Sequence, residues 1–188
     1  MSTDTILIPL SIIWLGSEIA LTRMMRSAAS DTKSDAGSLT LIWLVIAAAV
    51  TAGVSIGHQK IGRIETLSSV AAVAGLVLIA LGIAIRWIAI GTLRRHFTVD
   101  VVIRQGHELV QSGLYRFVRH PSYTGSLLSF FGLGISSSNG LSFLVLFLPV
   151  CSVFLYRIHI EEKALLAAFG EQYRAYAQKT SRLIPGLY

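Results

Sequence analysis

Long stretches without charge constrain this chain more than any other feature of its sequence. Residues 121–156 carry no charged side chain over 36 positions, and residues 39–57 carry none over 19 positions. A helix that crosses a membrane needs about 20 consecutive apolar residues. The mean hydropathy of +0.66 and the charged fraction of 14% are also far from those of an average soluble domain. The sequence therefore predicts an all-α integral membrane protein.

The apolar segments predict five membrane-spanning helices in a single domain, residues 1–188. Residues 5–21, 39–57 and 66–91 form three N-terminal spans, and a turn signal at 136–140 divides the longest run into a helical hairpin, 122–135 and 141 to about 159. Residues 92–112 predict a short β-hairpin or an irregular loop at the membrane surface. After the last span, the pattern predicts an amphipathic helix ending at Gly170 and a second short helix before Pro185.

The basic residues predict how these helices are oriented. Counted on alternate sides of the predicted spans, 13 Lys and Arg lie on one side and only Lys60 and Arg63 on the other. Because cytoplasmic loops of membrane proteins are enriched in Lys and Arg, we expect the N-terminus outside and the C-terminus in the cytoplasm. The same bias accounts for the net charge of +6 without a nucleic acid partner.

Two ionisable residues fall inside predicted spans. Glu18 is interpreted as an interfacial residue one turn before Arg23, because a charge deep in the membrane is costly. Arg86 lies five residues from the end of the third span and is interpreted as an interfacial anchor together with Trp87, since its long side chain can reach outward.

A polar loop at 113–125 and the acidic pair Glu161-Glu162 flank the predicted hairpin and should meet at the cytoplasmic face. Such a set of cations, carboxylates and helix N–H groups suits a zwitterionic or cationic small molecule. A metal site would compete for the same His and Glu residues, but their spacing matches no familiar zinc arrangement, so no metal is predicted. Taken singly, each residue could be only an interfacial anchor. Cys151 lies in an apolar run, which disfavours a catalytic thiolate, and no glycine-rich nucleotide-binding motif follows a strand.

At these residues the chain resembles the isoprenylcysteine carboxyl methyltransferase family and its relatives among the phospholipid methyltransferases. The family signature, Arg-His-Pro-x-Tyr-x-Gly followed later by Glu-Glu, stands here at 119–125 and 161–162. The flanks agree as well, at 109–115 before the signature and at Phe169, Gly170, Tyr173, Tyr176, Arg182 and Pro185 after it. The resemblance extends over roughly residues 97–185.

The resemblance implies methyl transfer from S-adenosylmethionine, with S-adenosylhomocysteine as product, to a lipid-borne acceptor at the cytoplasmic face. The acceptor would be the carboxylate of an isoprenylated cysteine or an analogue, on a lipid-modified small molecule or a protein C-terminus. Residues 92–188 would form the cofactor-binding and catalytic half, with the loop and the short C-terminal helices enclosing the cofactor. The implied catalytic residues are Arg157, which would bind the acceptor carboxylate, and Glu161. The implied cofactor-binding residues are Val110, Gln111, Gly113, Leu114, Tyr115, Arg119, His120, Pro121, Tyr123, Gly125 and Glu162.

Three other functions stay open at this point. A phospholipid amine N-methyltransferase would need a base for the amine, for which Glu161 or His159 could serve. Sterol reductases carry a similar C-terminal helical pattern and use a nicotinamide cofactor, although they are much longer. A membrane scaffold without catalytic activity would bind neither cofactor.

Overall fold

The computed structural model describes residues 12–21, 37–64, 68–93 and 108–187, and the regular elements in these ranges are helices, with no strand among them. The α-helices in chain order are α1 (Ile12–Leu21), α2 (Ser38–Gly57), α3 (Ser68–Leu93), α4 (Pro121–Ser136) and α5 (Gly140–Lys179). A 3-10 turn, Gly113–Arg116, precedes α4. The predicted all-α fold is thereby confirmed.

The observed helix boundaries follow the uncharged runs of the sequence. The predicted spans at 39–57, 66–91 and 122–135 agree within two residues with α2, α3 and α4. Among the described residues, α2, α3 and α5 are long and apolar enough to cross a membrane, whereas α4 has 16 residues and the described part of the first helix is a shorter apolar segment. Five spans therefore stay a prediction. The hairpin predicted at 92–112 falls mostly outside the described residues, and its described end, 108–112, contains no strand.

The last helix is longer than predicted. Its expected end at about residue 159 is wrong, because the helix runs on to a kink at Gly170, beyond which a last helical part ends at Lys179. No Gly or Pro lies between Tyr156 and Gly170 to stop it, so the uncharged part, 140–156, runs directly into the amphipathic part. Gly170 (φ 51°, ψ −122°) does break the helix, as predicted. We take 140–156 as the membrane-spanning part of α5, and the residues from Arg157 onward lie beyond it.

Helices α3 and α4 pack against each other through glycines. A Cβ built on Gly125 would lie 2.5 Å from the Gly82 carbonyl oxygen, and one on Gly132 would lie 2.7 Å from that of Gly75. The two contacts run in opposite directions along the two sequences, so the helices are antiparallel. Small residues allow this close approach of backbones, which is how membrane helices associate when no water is expelled between them.

The ends of the helices far from residues 113–125 are fastened by Asn139. Its side-chain amide donates to the carbonyl oxygens of Ile56 (3.3 Å) and Ile61 (2.9 Å), and its Oδ1 accepts from the backbone N–H of Ser142 (3.0 Å). Asn139 thus caps α5 and joins the α4–α5 turn to the loop after α2.

Helix α1 packs against both α4 and α3. Trp14 meets Phe130 of α4 edge to face, with ring centroids 4.6 Å apart. One turn later, Glu18 accepts a hydrogen bond of 2.6 Å from Nη2 of Arg86 on α3. The two residues therefore pair with each other, a contact that the interpretation of each as an interfacial residue did not include. Their position at the interface stays a prediction, and Arg23 lies outside the described residues. An ionised carboxylate or guanidinium is costly in a membrane when it is unpaired, and pairing the two lowers that cost.

Candidate active site

The site is built where the loop before α4 runs beside the C-terminal tail. The backbone N–H groups of Arg119 and His120 donate to the carbonyl oxygens of Ser181 (2.8 Å) and Arg182 (3.0 Å), and the Ser181 N–H donates to Phe117 (3.2 Å). Two segments 60 residues apart in sequence are therefore held side by side, as the sequence analysis expected for this loop and the tail.

Arg119 fastens this arrangement to α5. Its Nη1 donates to the carbonyl oxygens of Ala177 (2.9 Å) and Thr180, at the end of the helix. Its Nε donates to Oε1 of Glu162 at 3.0 Å. These bonds commit the guanidinium to the protein itself, so Arg119, expected to bind the cofactor, also holds the tail in place.

Glu162 is the centre of a partly buried polar cluster that we call the Glu162 cluster: Arg119, His120, Glu162 and Arg182. The second carboxylate oxygen accepts from Nε of Arg182 at 3.0 Å, and Nε2 of His120 lies 3.5 Å from the first. Burial by itself raises the pKa of Glu162, but the nearby His120 and the hydrogen-bonded guanidinium of Arg119 outweigh it and lower the pKa from 4.5 to about 2. Glu162 is therefore ionised at any physiological pH.

Two buried polar atoms beside this carboxylate have no hydrogen-bond partner within the described part of the chain. They are Nε2 of His120 and the hydroxyl of Tyr173. The His120 side chain is 2% exposed, and its Nδ1 lies 3.9 Å from Oε2 of Glu161. Because buried polar groups are normally satisfied, these two atoms are places where polar atoms of a ligand would bind.

Aromatic rings line the apolar side of the cluster. Tyr123, in the first turn of α4, lies 5.8 Å from the His120 ring and 5.4 Å from the Phe154 ring. Tyr115 is buried in the 3-10 turn, and its carbonyl oxygen accepts from the hydroxyl of Tyr176 at 2.7 Å. Burial raises the pKa of both the Tyr115 and the Tyr176 phenols, that of Tyr176 to about 12, so both stay protonated.

The remaining residues expected at the cofactor differ in their exposure and in their local roles. Gln111 and Gly113 are exposed, while Val110 and Leu114 are half-buried. Gly113 has a positive φ of 59°, which favours glycine at this turn. Pro121 opens α4 at a position where its missing N–H costs nothing. Gly125 faces α3 and serves the helix contact described above.

The two residues expected to be catalytic lie one helical turn apart on α5. Arg157 is 1% exposed and donates to the Ser38 hydroxyl at the start of α2. Glu161 has 32% of its side chain exposed. The Tyr123 hydroxyl lies beside both of them, so it links the pair to the aromatic side of the cluster. His159 points to the exposed side of α5. Across the described ranges, no three His, Cys, Asp or Glu side chains are grouped so that they could hold a metal ion.

The comparison with family models decides the family. The model described as phospholipid methyltransferase matches residues 70–172. The chain belongs to the phospholipid methyltransferase family. The match begins near the start of α3. The similarity to the family therefore starts earlier in the chain than residue 97, where the motifs had suggested that it begins.

Similar proteins confirm the resemblance to isoprenylcysteine methyltransferases. The chain is 39% identical over 113 residues to protein-S-isoprenylcysteine O-methyltransferase B of Arabidopsis thaliana, covering 59% of this chain and 57% of the relative. It is 38% identical over 73 residues to methanethiol S-methyltransferase 1 of Bradyrhizobium diazoefficiens, covering 38% of this chain and 24% of the relative. The chain therefore spans little more than half of the plant protein.

The structure of this chain is also similar to a solved structure. The eukaryotic intramembrane Ras methyltransferase, isoprenylcysteine carboxyl methyltransferase, matches with a TM-score of 0.59 and 28% identity, covering 80% of this chain and 51% of that chain. The 80% coverage is larger than the part of the chain that the family model matches, so the shared fold extends beyond residues 70–172.

Several residues of the site were missed by sequence reasoning. Arg182 and Tyr173 were noted only as flanks of the family signature, yet Arg182 bonds Glu162 and the Tyr173 hydroxyl lies buried near it. Ser38, the partner of Arg157, lies 119 residues away from it in sequence, and a lone Ser at the start of an apolar run carries no signal of this contact.

Proposed function

We propose that this protein transfers the methyl group of S-adenosylmethionine to the carboxylate of an isoprenylated cysteine or a similar lipid-borne acceptor. The observation that carries the proposal is the Glu162 cluster, which has an ionised carboxylate and, beside it, two buried polar atoms without a hydrogen-bond partner among the described residues. The rings of Tyr123 and Tyr176 lie next to the side chains that carry these two atoms. The similarity to isoprenylcysteine methyltransferases names the reaction class.

The residues present fit the proposed methyl donor. Its amino group and ribose hydroxyls need acceptors, and Glu162 stays ionised and offers carboxylate lone pairs beyond those used by Arg119 and Arg182. Its sulfonium and adenine suit the faces of aromatic rings such as Tyr123. The donor supplies a methyl group on a cationic sulfur, and the acceptor oxygen displaces the neutral thioether.

Methylation of a carboxylate acceptor requires little acid–base catalysis from the protein. Its oxygen is already ionised, so no general base is required, and the rate depends on aligning oxygen, methyl and sulfur away from water. We assign the orientation of the carboxylate to Arg157, whose buried charge lies one turn from Glu161 and beside Tyr123. We place this site at the cytoplasmic face, because 13 basic residues lie on that side of the predicted spans.

Methyl transfer from tritiated S-adenosylmethionine tests the proposal. The purified protein in lipid nanodiscs should label an S-farnesyl cysteine derivative with a free carboxylate, and the label should be released as methanol by base, as expected of an ester. The matching carboxamide should remain unlabelled. No labelling of the free carboxylate would contradict the proposed acceptor.

The role of Arg157 is tested in the same assay. We expect Arg157→Gln to raise KM for the acceptor by about tenfold or more, since a charge-assisted bidentate contact is lost. Its dissociation constant for S-adenosylhomocysteine should be unchanged, which also shows that the variant is folded. Unchanged KM and kcat would refute the assignment.

A phospholipid amine is the second candidate acceptor, favoured by the description of the matching family model. An amine must lose a proton before or during transfer, and Glu161 is the half-buried carboxylate placed to accept it, 3.9 Å from His120. Labelling of phosphatidylethanolamine that is lost in Glu161→Gln, with no labelling of the prenylated carboxylate, would favour this acceptor.

A further inference from the structure

Beyond the Glu162 cluster, the chain holds a second shielded ion pair at the start of α4. Arg86 of α3 donates from Nη2 to Oε2 of Glu18 on α1 at 2.6 Å, and its Nε pairs with the other carboxylate oxygen. The two side chains are only 13% and 15% exposed. An ion pair so shielded holds its two helices in a defined relation, because separating the charges there is costly.

The same guanidinium reaches α4. Nη1 of Arg86 donates to the Ser122 hydroxyl at 2.8 Å and to the Ser122 carbonyl oxygen at 3.3 Å. Nη2 of Arg86 thus donates to α1 and Nη1 donates to α4, while Nε adds an ion-pair contact to α1. A planar guanidinium fixed in this way sets the position of Ser122 relative to both α1 and α3.

Ser122 lies between two side chains of the candidate active site. His120 caps α4, and Tyr123 follows Ser122 directly. The first turn is closed by a hydrogen bond of 3.0 Å from the Thr124 N–H to the His120 carbonyl oxygen. Because residues 120–124 form one turn, a displacement of Ser122 moves the His120 and Tyr123 rings together.

Gly125 makes this contact possible. A Cβ at that position would lie 2.7 Å from the backbone nitrogen of Arg86 and 3.0 Å from its Cβ. Gly125, the last residue of the 119–125 signature, therefore allows α4 to lie close to Arg86, which bonds the first turn of α4. This gives the glycine a physical role in the site without contact to a ligand.

We propose that Arg86, held in place by Glu18, is a positioning residue that fixes the first turn of α4 so that His120 and Tyr123 face the methyl donor. The part of this inference that concerns the donor rests on the proposed function. The ion pair acts through Ser122 and touches neither donor nor acceptor.

Four variants separate positioning from simple stabilisation. Arg86→Lys keeps a charge for Glu18 but loses the bonds of Nη1 to Ser122, and Glu18→Gln releases the guanidinium. The exchanged pair, Glu18→Arg with Arg86→Glu, restores an ion pair between α1 and α3 but removes from α3 the guanidinium that bonds Ser122. Glu171→Gln is the matched control, because it breaks an ion pair with Arg174 that is well exposed on both sides.

Two measurements are made on each variant in nanodiscs: the dissociation constant for S-adenosylhomocysteine, and amide hydrogen exchange of peptides covering residues 117–127. We expect Arg86→Lys and Glu18→Gln to weaken binding by about tenfold, as small misplacements of site residues do, and to speed exchange in these peptides. The exchanged pair should have the melting temperature of the wild type, but its affinity for S-adenosylhomocysteine should stay weakened. Glu171→Gln should match the wild type in both measurements.

Recovery of the affinity in the exchanged pair, or unchanged exchange at 117–127 in Arg86→Lys and Glu18→Gln, would overturn the inference. If the wild type binds no S-adenosylhomocysteine, the proposed function fails, and hydrogen exchange alone then decides whether Arg86 fixes this turn. Should Glu18→Gln fail to fold, Arg86→Lys, which keeps the charge balance, decides the question in the same way.

Discussion

A methyl group added to Gly125 tests how strongly the site depends on the contact between α3 and α4. In Gly125→Ala, the new Cβ would meet the Gly82 carbonyl oxygen at 2.5 Å and the Arg86 nitrogen at 2.7 Å, whereas ordinary contacts begin at 3.4 Å. The helices must therefore separate by about 0.9 Å. Both obstacles are backbone atoms, so no side chain can rotate away to relieve the contact.

The expected cost follows from this geometry. Forcing an extra carbon into a well-packed contact costs about 1–3 kcal/mol, and the backbone obstacles place Gly125→Ala at the upper end of that range. Better helix propensity returns at most about 1 kcal/mol. We therefore expect a net loss of about 2 kcal/mol, together with weaker binding of S-adenosylhomocysteine, because Arg86 and Ser122 are pulled apart.

Reversible unfolding in mixed micelles, followed by far-ultraviolet circular dichroism, measures this loss. Gly91→Ala is the matched control, since it places the same methyl group on α3 where no atom lies within 4 Å. That variant should be as stable as the wild type or slightly more so. If Gly125→Ala and Gly91→Ala have the same free energy of unfolding, the close contact of α3 and α4 is refuted.

Three further predictions concern other parts of the fold. Asn139→Leu should lower the free energy of unfolding by about 3 kcal/mol, because a cap and several hydrogen bonds to backbone carbonyls are lost together. Gly170→Ala should cost about 1–3 kcal/mol through its positive φ alone, since no atom lies within 4 Å, and should weaken donor binding because the tail is displaced. Glu162 binds fewer protons in the folded state, so its contribution to stability is complete above pH 4.5 and is lost as the pH falls towards 2. The difference in melting temperature between the wild type and Glu162→Gln should therefore narrow below pH 4.5.

The two stability predictions, for Asn139→Leu and Gly170→Ala, each have a control variant. Ser55→Ala removes an exposed hydroxyl that bonds its own helix and should change the stability by less than about 0.5 kcal/mol. Gly140→Ala adds a methyl group in open space without a positive φ and should cost nothing measurable. A melting-temperature difference for Glu162→Gln that is constant from pH 6 to pH 3 would contradict the lowered pKa of this carboxylate. Wild-type stability in Asn139→Leu or Gly170→Ala would contradict the cap or the strained turn.

The helices were predictable because their signals are local. Apolar runs predicted α2, α3 and α4 to within two residues, and the break predicted at Gly170 is present in α5. The pairing of the 113–125 loop with the tail was also predictable, because the hairpin of α4 and α5 returns the chain to the same membrane face.

Pairings between distant helices had no such signal. Glu18 and Arg86 are 68 residues apart, and neither neighbourhood distinguishes a paired charge from one at the interface. Asn139 was recognised as part of a turn, but its bonds to the loop after α2 depend on how the helix ends meet. The fastening role of Arg119 likewise depends on where α5 ends.

Calorimetric titration with S-adenosylhomocysteine tests the central claim, that the Glu162 cluster binds the methyl donor. We predict micromolar binding to the wild type, binding weakened by about tenfold or more in Glu162→Gln through loss of a charge-assisted contact, and unchanged binding in the surface control Glu171→Gln. Failure of the wild type to bind, or equal affinity of the wild type and Glu162→Gln, would contradict the account.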